Sequence, residues 1–197
     1  MTRLVFLVLL LASFQGIAGN QIYEPLADSV RERLSAMVSD RAPAQLHFRS
    51  PEDGQRWIDE MDKRLAGRMP DRQSRMELLR AVHYEALRAR LDPQLVLGLI
   101  EVESGFRKYA VSRAGARGYM QVMPFWVTLL GRPSHNLFHL RTNLAYGCAI
   151  LRHYLDMERG DYFRALGRYN GTLGKPEYPN LVLSAWKGRW KYEGPTA

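Results

Sequence analysis

Hydrophobic positions recur along most of this chain at spacings of three and four, the period of helices laid on a core. Over residues 22–39, Leu26, Val30, Leu34, Met37 and Val38 form such a stripe and predict an amphipathic helix after Pro25. Two prolines within residues 41–51 break the pattern into a connection. Trp57, Ile58, Met61 and Leu65 predict a second helix over 52–66, ended by Gly67 and Pro70. A third, capped by Asp71 or Ser74, carries Leu78, Leu79, Val82, Tyr84, Ala86 and Leu87 to about Arg90. Asp92-Pro93 has the form of a helix cap and first helical residue. The helix it opens, 94 to about 104, is apolar nearly all round: Leu95, Val96, Leu97, Leu99, Ile100 and Val102. So wide an apolar surface predicts the central buried helix. Residues 105–124 are glycine-punctuated and irregular, with room for short strands. Helices resume at about 125–130, 143–158, 161–170 and 179–190. The expected fold class is mainly α, without internal repeats.

The N-terminus departs from this pattern. Met1-Thr-Arg3 is followed by a nearly unbroken apolar run, Leu4 to Phe14, and then by Gln15-Gly16-Ile17-Ala18-Gly19. The run is shorter than the roughly 20 apolar residues of a membrane helix, and small residues follow it. It reads as a secretory signal cleaved after Ala18 or Gly19, with an uncleaved anchor as the competing reading. No later stretch reaches membrane length. The remaining chain, drawn from 197 residues that are 46% hydrophobic, suffices for one sizeable core but not for two ordinary domains. Lys and Arg number 28 against 20 Asp and Glu, a net charge of +8, which favours a polyanionic partner without naming it. A single cysteine, Cys148, excludes an internal disulfide framework and Cys-clustered zinc. It lies in an apolar helical run and reads as core.

The buried helix brings two carboxylates, Glu101 and Glu103, to its C-terminal end. The negative helix terminus and apolar surroundings both raise a carboxyl pKa, as a general acid near neutral pH requires. Two residues apart, the pair lies about 200° apart around the helix, so one can face a cleft while the other faces solvent or a structural arginine. Two ordinary surface glutamates are the plainer alternative. The loop that follows joins tight-turn glycines to aromatic and amide side chains. Glycine and alanine let backbone lie close against a ligand, and aromatic faces with amides suit sugar rings. A polar loop with some core methionine is the competing reading.

The series Glu103-Ser104-Gly105-Phe106, then Ala110-x-Ser112-x-x-Gly115-Ala116-x-Gly118-x-Met120-Gln121-x-Met123-Pro124, resembles the soluble-type lytic transglycosylases, whose lysozyme-like domain is related to goose-type lysozyme. Asn143-Leu144-x-x-Gly147 and Ala165-Leu166-x-x-Tyr169-Asn170-Gly171 resemble two further motifs of that family. The resemblance covers roughly residues 78–190. It implies a single lysozyme-like catalytic domain over 76–191; the extra helical segment, 20–75, and the signal, 1–19, precede it and are not covered by the resemblance. It departs at Tyr119, where leucine is usual, and at Phe125-Trp126, which replaces a threonine-alanine pair. By resemblance Glu103 is the acid/base, Tyr169 orients its carboxyl and Asn170 lines the site. Ser112 holds substrate near its N-acetyl group, and Gln121 and Met123 line the cleft. Read without the family, Tyr169 is equally a core tyrosine and Ser112 a turn residue. The implied partner is peptidoglycan glycan strands in the periplasm. A secretion, pilus or conjugation machine is left open as a further partner.

Glycosidases of the usual kinds need a second carboxylate. The next acidic residue after Glu103 is Asp156, so 52 consecutive residues carry none, while seven Lys and Arg fall among them. A second carboxylate must come from a remote position such as Asp156, Asp161 or Glu177. A one-carboxylate, substrate-assisted cut fits better. Competing functions are a lysozyme-type muramidase and a glycan-binding module without turnover. A basic nucleic-acid binder rests on charge alone, and the export signal counts against it. His135 and His139 stand four apart, but Pro133-Ser134 precedes them and no third ligand is evident, so neither a metal nor a cofactor is expected.

Overall fold

The computed structural model describes residues 21–39 and 42–194; the expected signal segment lies outside them. Eight helices occur in this range: α1 (Asp28–Ser39), α2 (Pro51–Leu65), α3 (Arg72–Arg88), α4 (Pro93–Ser104), α5 (Phe125–Leu130), α6 (Leu140–Met157), α7 (Tyr162–Asn170) and α8 (Glu177–Lys187). The fold is mainly helical, as the hydrophobic period implies. Among the described residues the only β-type pairing is two isolated antiparallel bridges, Val111 to Arg117 and Arg117 to Val122. These lie inside the glycine-punctuated stretch. No described helix is long and apolar enough to cross a membrane.

Local chemistry fixes the helix starts. Ser50, Asp71, Asp92 and Asp161 each accept a backbone N–H of the first turn of α2, α3, α4 and α7, at 3.1, 2.7, 2.7 and 3.0 Å. Each such cap satisfies a donor that the helix itself leaves unpaired. Asp71, not Ser74, caps α3. Three boundaries shift from the sequence expectation. α1 begins only at Asp28, because residues 21–27 run outside any helix. α6 begins at Leu140, three residues early, with His139 as its cap residue. α8 occupies Glu177–Lys187 rather than 179–190, and Gly188 ends it. The boundary expected between residues 75 and 76 falls inside α3.

α4 is the centre of the molecule. Leu95, Val96, Leu97, Leu99 and Ile100 are wholly buried, as expected for a helix apolar all round. α8 lies closely along it: a Cβ on Gly98 would sit 3.0 Å from the Trp186 backbone nitrogen and 3.3 Å from its Cα. The Trp186 indole N–H also donates to Asp92 at 2.8 Å, tying α8 to the start of α4. Leu34 and Val38 of α1, with Trp57, Ile58, Met61 and Leu65 of α2, join the same apolar core as α3 to α8.

Candidate active site

The last turn of α4 separates its two carboxylates as the helical period requires. Glu101 is a structural tie. Its oxygens accept from Arg68 at 2.9 Å and from the Trp190 indole N–H at 2.6 Å, and Arg189 pairs with it as well. Two guanidinium groups neutralise it and join the α2–α3 connection to the end of the chain. Glu103, 3% exposed, faces the other way into the core. Its Oε1 accepts a 2.5 Å hydrogen bond from the hydroxyl of Tyr178, in the first turn of α8. Gly105 then takes a left-handed φ of 56° and stops the helix immediately beyond this turn.

Tyr169 lies close enough to feel the charge of Glu103, but its hydroxyl donates to the Met120 carbonyl at 2.7 Å. The hydroxyl on Glu103 Oε1 is that of Tyr178, whereas Tyr169, to which the resemblance gives the orienting role, places its hydroxyl on the Met120 carbonyl. Burial first, and the Glu103 charge second, hold both phenols well above the usual tyrosine range. Both remain neutral donors over the whole working pH range. The helix expected over 179–190 leaves Tyr178 one residue outside it.

The motif loop packs against α6. Asn143 accepts from the Met120 N–H at 2.8 Å and donates to the carbonyls of Arg117 and Leu137 at 2.8 and 2.9 Å. Gly147, one turn on, leaves room for Met120, whose side chain a Cβ there would strike. Asn143 and Gly147 thus clamp the loop that carries Gln121 and Met123. Gln121 is buried, with a left-handed φ of 47°, and its side-chain amide donates to Ala110 and Gly118 at 3.1 and 2.9 Å. Those bonds offset the strain of about 1 kcal/mol or more that a non-glycine residue bears there. Its side chain therefore shapes the loop from within, while its backbone carbonyl accepts from Gln21 at 3.3 Å. The Met123 N–H donates to the same Gln21 side chain at 3.1 Å.

Ser112 is half-exposed, and its hydroxyl accepts from the Ala116 N–H at 3.1 Å, a turn contact. Asn170 ends α7. Its Nδ2 donates to Thr172 at 3.3 Å, and its Oδ1 is buried with no hydrogen-bond partner. Tyr119 is buried and fills the core place of the usual leucine rather than offering a ring to a sugar. Cys148 is likewise core, and burial pushes its thiol well above the ordinary range. His135 Nδ1 lies 2.8 Å from the Tyr146 hydroxyl.

Two of the three remote carboxylates are engaged elsewhere. Asp156 pairs with Arg33 at 2.9 Å and Arg152 at 2.7 Å, Asp161 caps α7, and Glu177 is exposed at the start of α8. Glu103 is the carboxylate whose charge acts on the Tyr178 hydroxyl. Glu103 is thus a buried carboxyl at the end of a core helix, hydrogen-bonded by a tyrosine. Residues 80–178 match the family described as the transglycosylase SLT domain, and the chain belongs to that family.

The curated relatives agree. A protein named transglycosylase from Enterobacteria phage PRD1 is 40% identical over 100 residues, 47% of this chain and 37% of that protein. Membrane-bound lytic murein transglycosylase C of Actinobacillus pleuropneumoniae serotype 5b (strain L20) is 50% identical over 48 residues, 24% of this chain and 13% of its own length. The protein of the same name from Glaesserella parasuis serovar 5 (strain SH0165) is 59% identical over 34 residues, 17% of this chain and 9% of its own. The matched stretches thus span little more than a third of any of these relatives. No solved structure matches the chain significantly.

Proposed function

We propose that this protein is a periplasmic lytic transglycosylase. It cuts the β-1,4 bond between N-acetylmuramic acid and N-acetylglucosamine in peptidoglycan and leaves 1,6-anhydromuramic ends. The observation that carries the reading is Glu103, a buried carboxyl at the end of α4 hydrogen-bonded by Tyr178 on Oε1, with Asp156 and Asp161 committed elsewhere and Glu177 exposed. Tyr178 holds Oε1 as an acceptor and so directs the exchanged proton to Oε2. Glu103 gives that proton to the glycosidic oxygen as the bond to C1 breaks, and the substrate's acetamide steadies the oxocarbenium-like centre. The carboxylate then takes the proton of the C6 hydroxyl, whose oxygen closes on C1. No water enters, and Glu103 ends protonated as it began. This is the substrate-assisted departure from the two-carboxylate rule.

Export rests on the signal-like residues 1–19, and the murein-directed names of the relatives support a wall substrate. The basic surface suits the anionic wall, and the same cut would open the gap that a secretion, pilus or conjugation machine needs. The N-terminal helices belong to this reading as a support packed on the SLT domain.

Clearing of purified sacculi tests the assignment. Glu103→Gln keeps the shape of the side chain but cannot cycle a proton, and should lower activity roughly 10²- to 10⁴-fold with the fold intact. Glu101→Gln should stay active and lose stability. The opposite pattern would put the acid on the other face of α4.

A further inference from the structure

Two backbone groups of the family loop, the Gln121 carbonyl and the Met123 N–H, are met by a residue from 100 positions away. The Gln21 side chain donates from Nε2 to the Gln121 carbonyl at 3.3 Å and accepts at Oε1 from the Met123 N–H at 3.1 Å. It also hydrogen-bonds the Tyr169 hydroxyl. A carbonyl can only accept and an N–H can only donate, so this orientation of the amide is the one that makes both bonds. Gln21 is 3% exposed, although Ile22 and Tyr23 beside it are 60% and 57% exposed. The segment is thus a surface strand of chain that sends one amide inward. Tyr23 meets the Phe125 ring edge-on at 5.8 Å, and Glu24 reaches Arg168 at 3.5 Å. Phe125 belongs to the Phe125-Trp126 pair at which this chain departs from the family pattern.

An acetamido group offers one N–H and one C=O, the same pair of functions that Gln21 presents here. Glu103 and Tyr169, which feels its charge, are closed to solvent in this arrangement, and so are Gln121 and Asn170. A glycan reaches them only when something covering them moves. Gln21–Glu24 is seated on the loop without a helix of its own, held by the Gln21 hydrogen bonds, an ion pair and one ring contact.

We propose that Gln21 occupies an acetamide-reading subsite of this chain's own glycan cleft, so that residues 21–24 form a plug which an N-acetylated glycan must displace. The inference rests on the glycan-cleaving reading of the site. A competitor held by neutral hydrogen bonds to the Gln121 carbonyl, the Met123 N–H and the Tyr169 hydroxyl raises the apparent dissociation constant of the ligand by its own occupancy ratio, on the order of tenfold for bonds of modest net strength.

The test uses the otherwise unaltered chain and a chitin tetramer, the tetrasaccharide of N-acetylglucosamine, with binding followed calorimetrically. Gln21→Ala removes the amide. Gln21→Glu keeps an acceptor for Met123 but sets a carboxylate against the Gln121 carbonyl. Both variants should bind the tetramer about three- to tenfold more tightly than the parent, and both should exchange the Met123 amide hydrogen faster. Circular dichroism checks that all three proteins are folded. If the parent binds the tetramer and clears sacculi while both variants bind with equal or weaker affinity, the plug is wrong and the proposed function stands. If none of the three binds the tetramer or clears sacculi, though Met123 exchange rises in both variants, the glycan reading fails and the plug falls with it.

Discussion

Tyr178 and Tyr169 stand on opposite sides of one question, which hydroxyl governs the acid. Tyr178 donates to Glu103 at 2.5 Å, whereas Tyr169 donates to the Met120 carbonyl at 2.7 Å. A donor on a carboxylate favours its charged form. Tyr178→Phe should therefore raise the pKa of the acid, move the pH–activity curve to the alkaline side, and lower kcat about 10- to 100-fold, the weight of a lost hydrogen bond to a charged group. Tyr169→Phe leaves a buried carbonyl unpaired, at a cost of about 1–3 kcal/mol in stability, and should lower activity without moving the curve. Glycan clearing measured from pH 4 to 9 on both variants checks this. A shift in Tyr169→Phe alone would restore the role that family resemblance assigns to Tyr169. The two glutamates show how far one residue's chemistry can be read from sequence. The helical period says that Glu101 and Glu103 face apart. It cannot say which meets arginines, because Arg68 and Arg189 arrive from distant turns.

Among elements, the α4–α8 contact positions the site. α4 was legible throughout: Asp92-Pro93 marks its start, its apolar surface its burial, and Gly105 its end. α8 was legible in existence but not in register. Its expected start at 179 excludes Tyr178 by one residue, and with it the partner of the acid. Gln21 gave no periodic signal at all, since its partners lie across the fold rather than along the chain. Gly98 is the element-scale test. A methyl there meets α8 backbone rather than a yielding side chain, so Gly98→Ala should cost about 1–3 kcal/mol by overpacking and should lower activity through the shifted Tyr178. Gly67→Ala, where a Cβ meets nothing within 4 Å, should leave both unchanged. Thermal unfolding and clearing assays on the pair make the comparison. An unchanged Gly98→Ala protein would mean that α8 moves freely without consequence for the acid.

For the whole molecule, one core links the N-terminal helices to the SLT domain, and its pH dependence has a definite source. His83 stacks on Phe48 at 4.4 Å and meets Trp57 at 5.2 Å, and its Nδ1 is buried without a hydrogen-bond partner. Burial foremost, then His47, lowers its pKa to about 4. The unfolded chain takes up a proton on this group near pH 6.5 while the folded protein does not. Stability is therefore fully present above about pH 6.5 and falls as the pH drops toward 4, by roughly 3 kcal/mol in all. Glu85, whose carboxyl burial raises, titrates in the opposite sense, so the informative measurement is the difference between the parent and His83→Phe. Denaturant unfolding at pH 7 and pH 4.5 should show the parent losing more stability than the variant. Equal losses would place the acid sensitivity elsewhere.

The central claim, a single carboxyl that needs no water, is tested most directly by the product. The C6 hydroxyl is tethered to the reacting sugar, and such tethering is worth about 7–11 kcal/mol in favourable geometry. The chain carries no acidic residue for 52 positions after Glu103, and Asp156 and Asp161 are held in ion pairs and a helix cap. Mass spectrometry of digested sacculi, with and without borohydride, reads the outcome. The expected products are muropeptides one water lighter than hydrolysed ones, with no reducing end to accept borohydride. Predominantly reducible muramic ends would contradict the account and make this site hydrolytic.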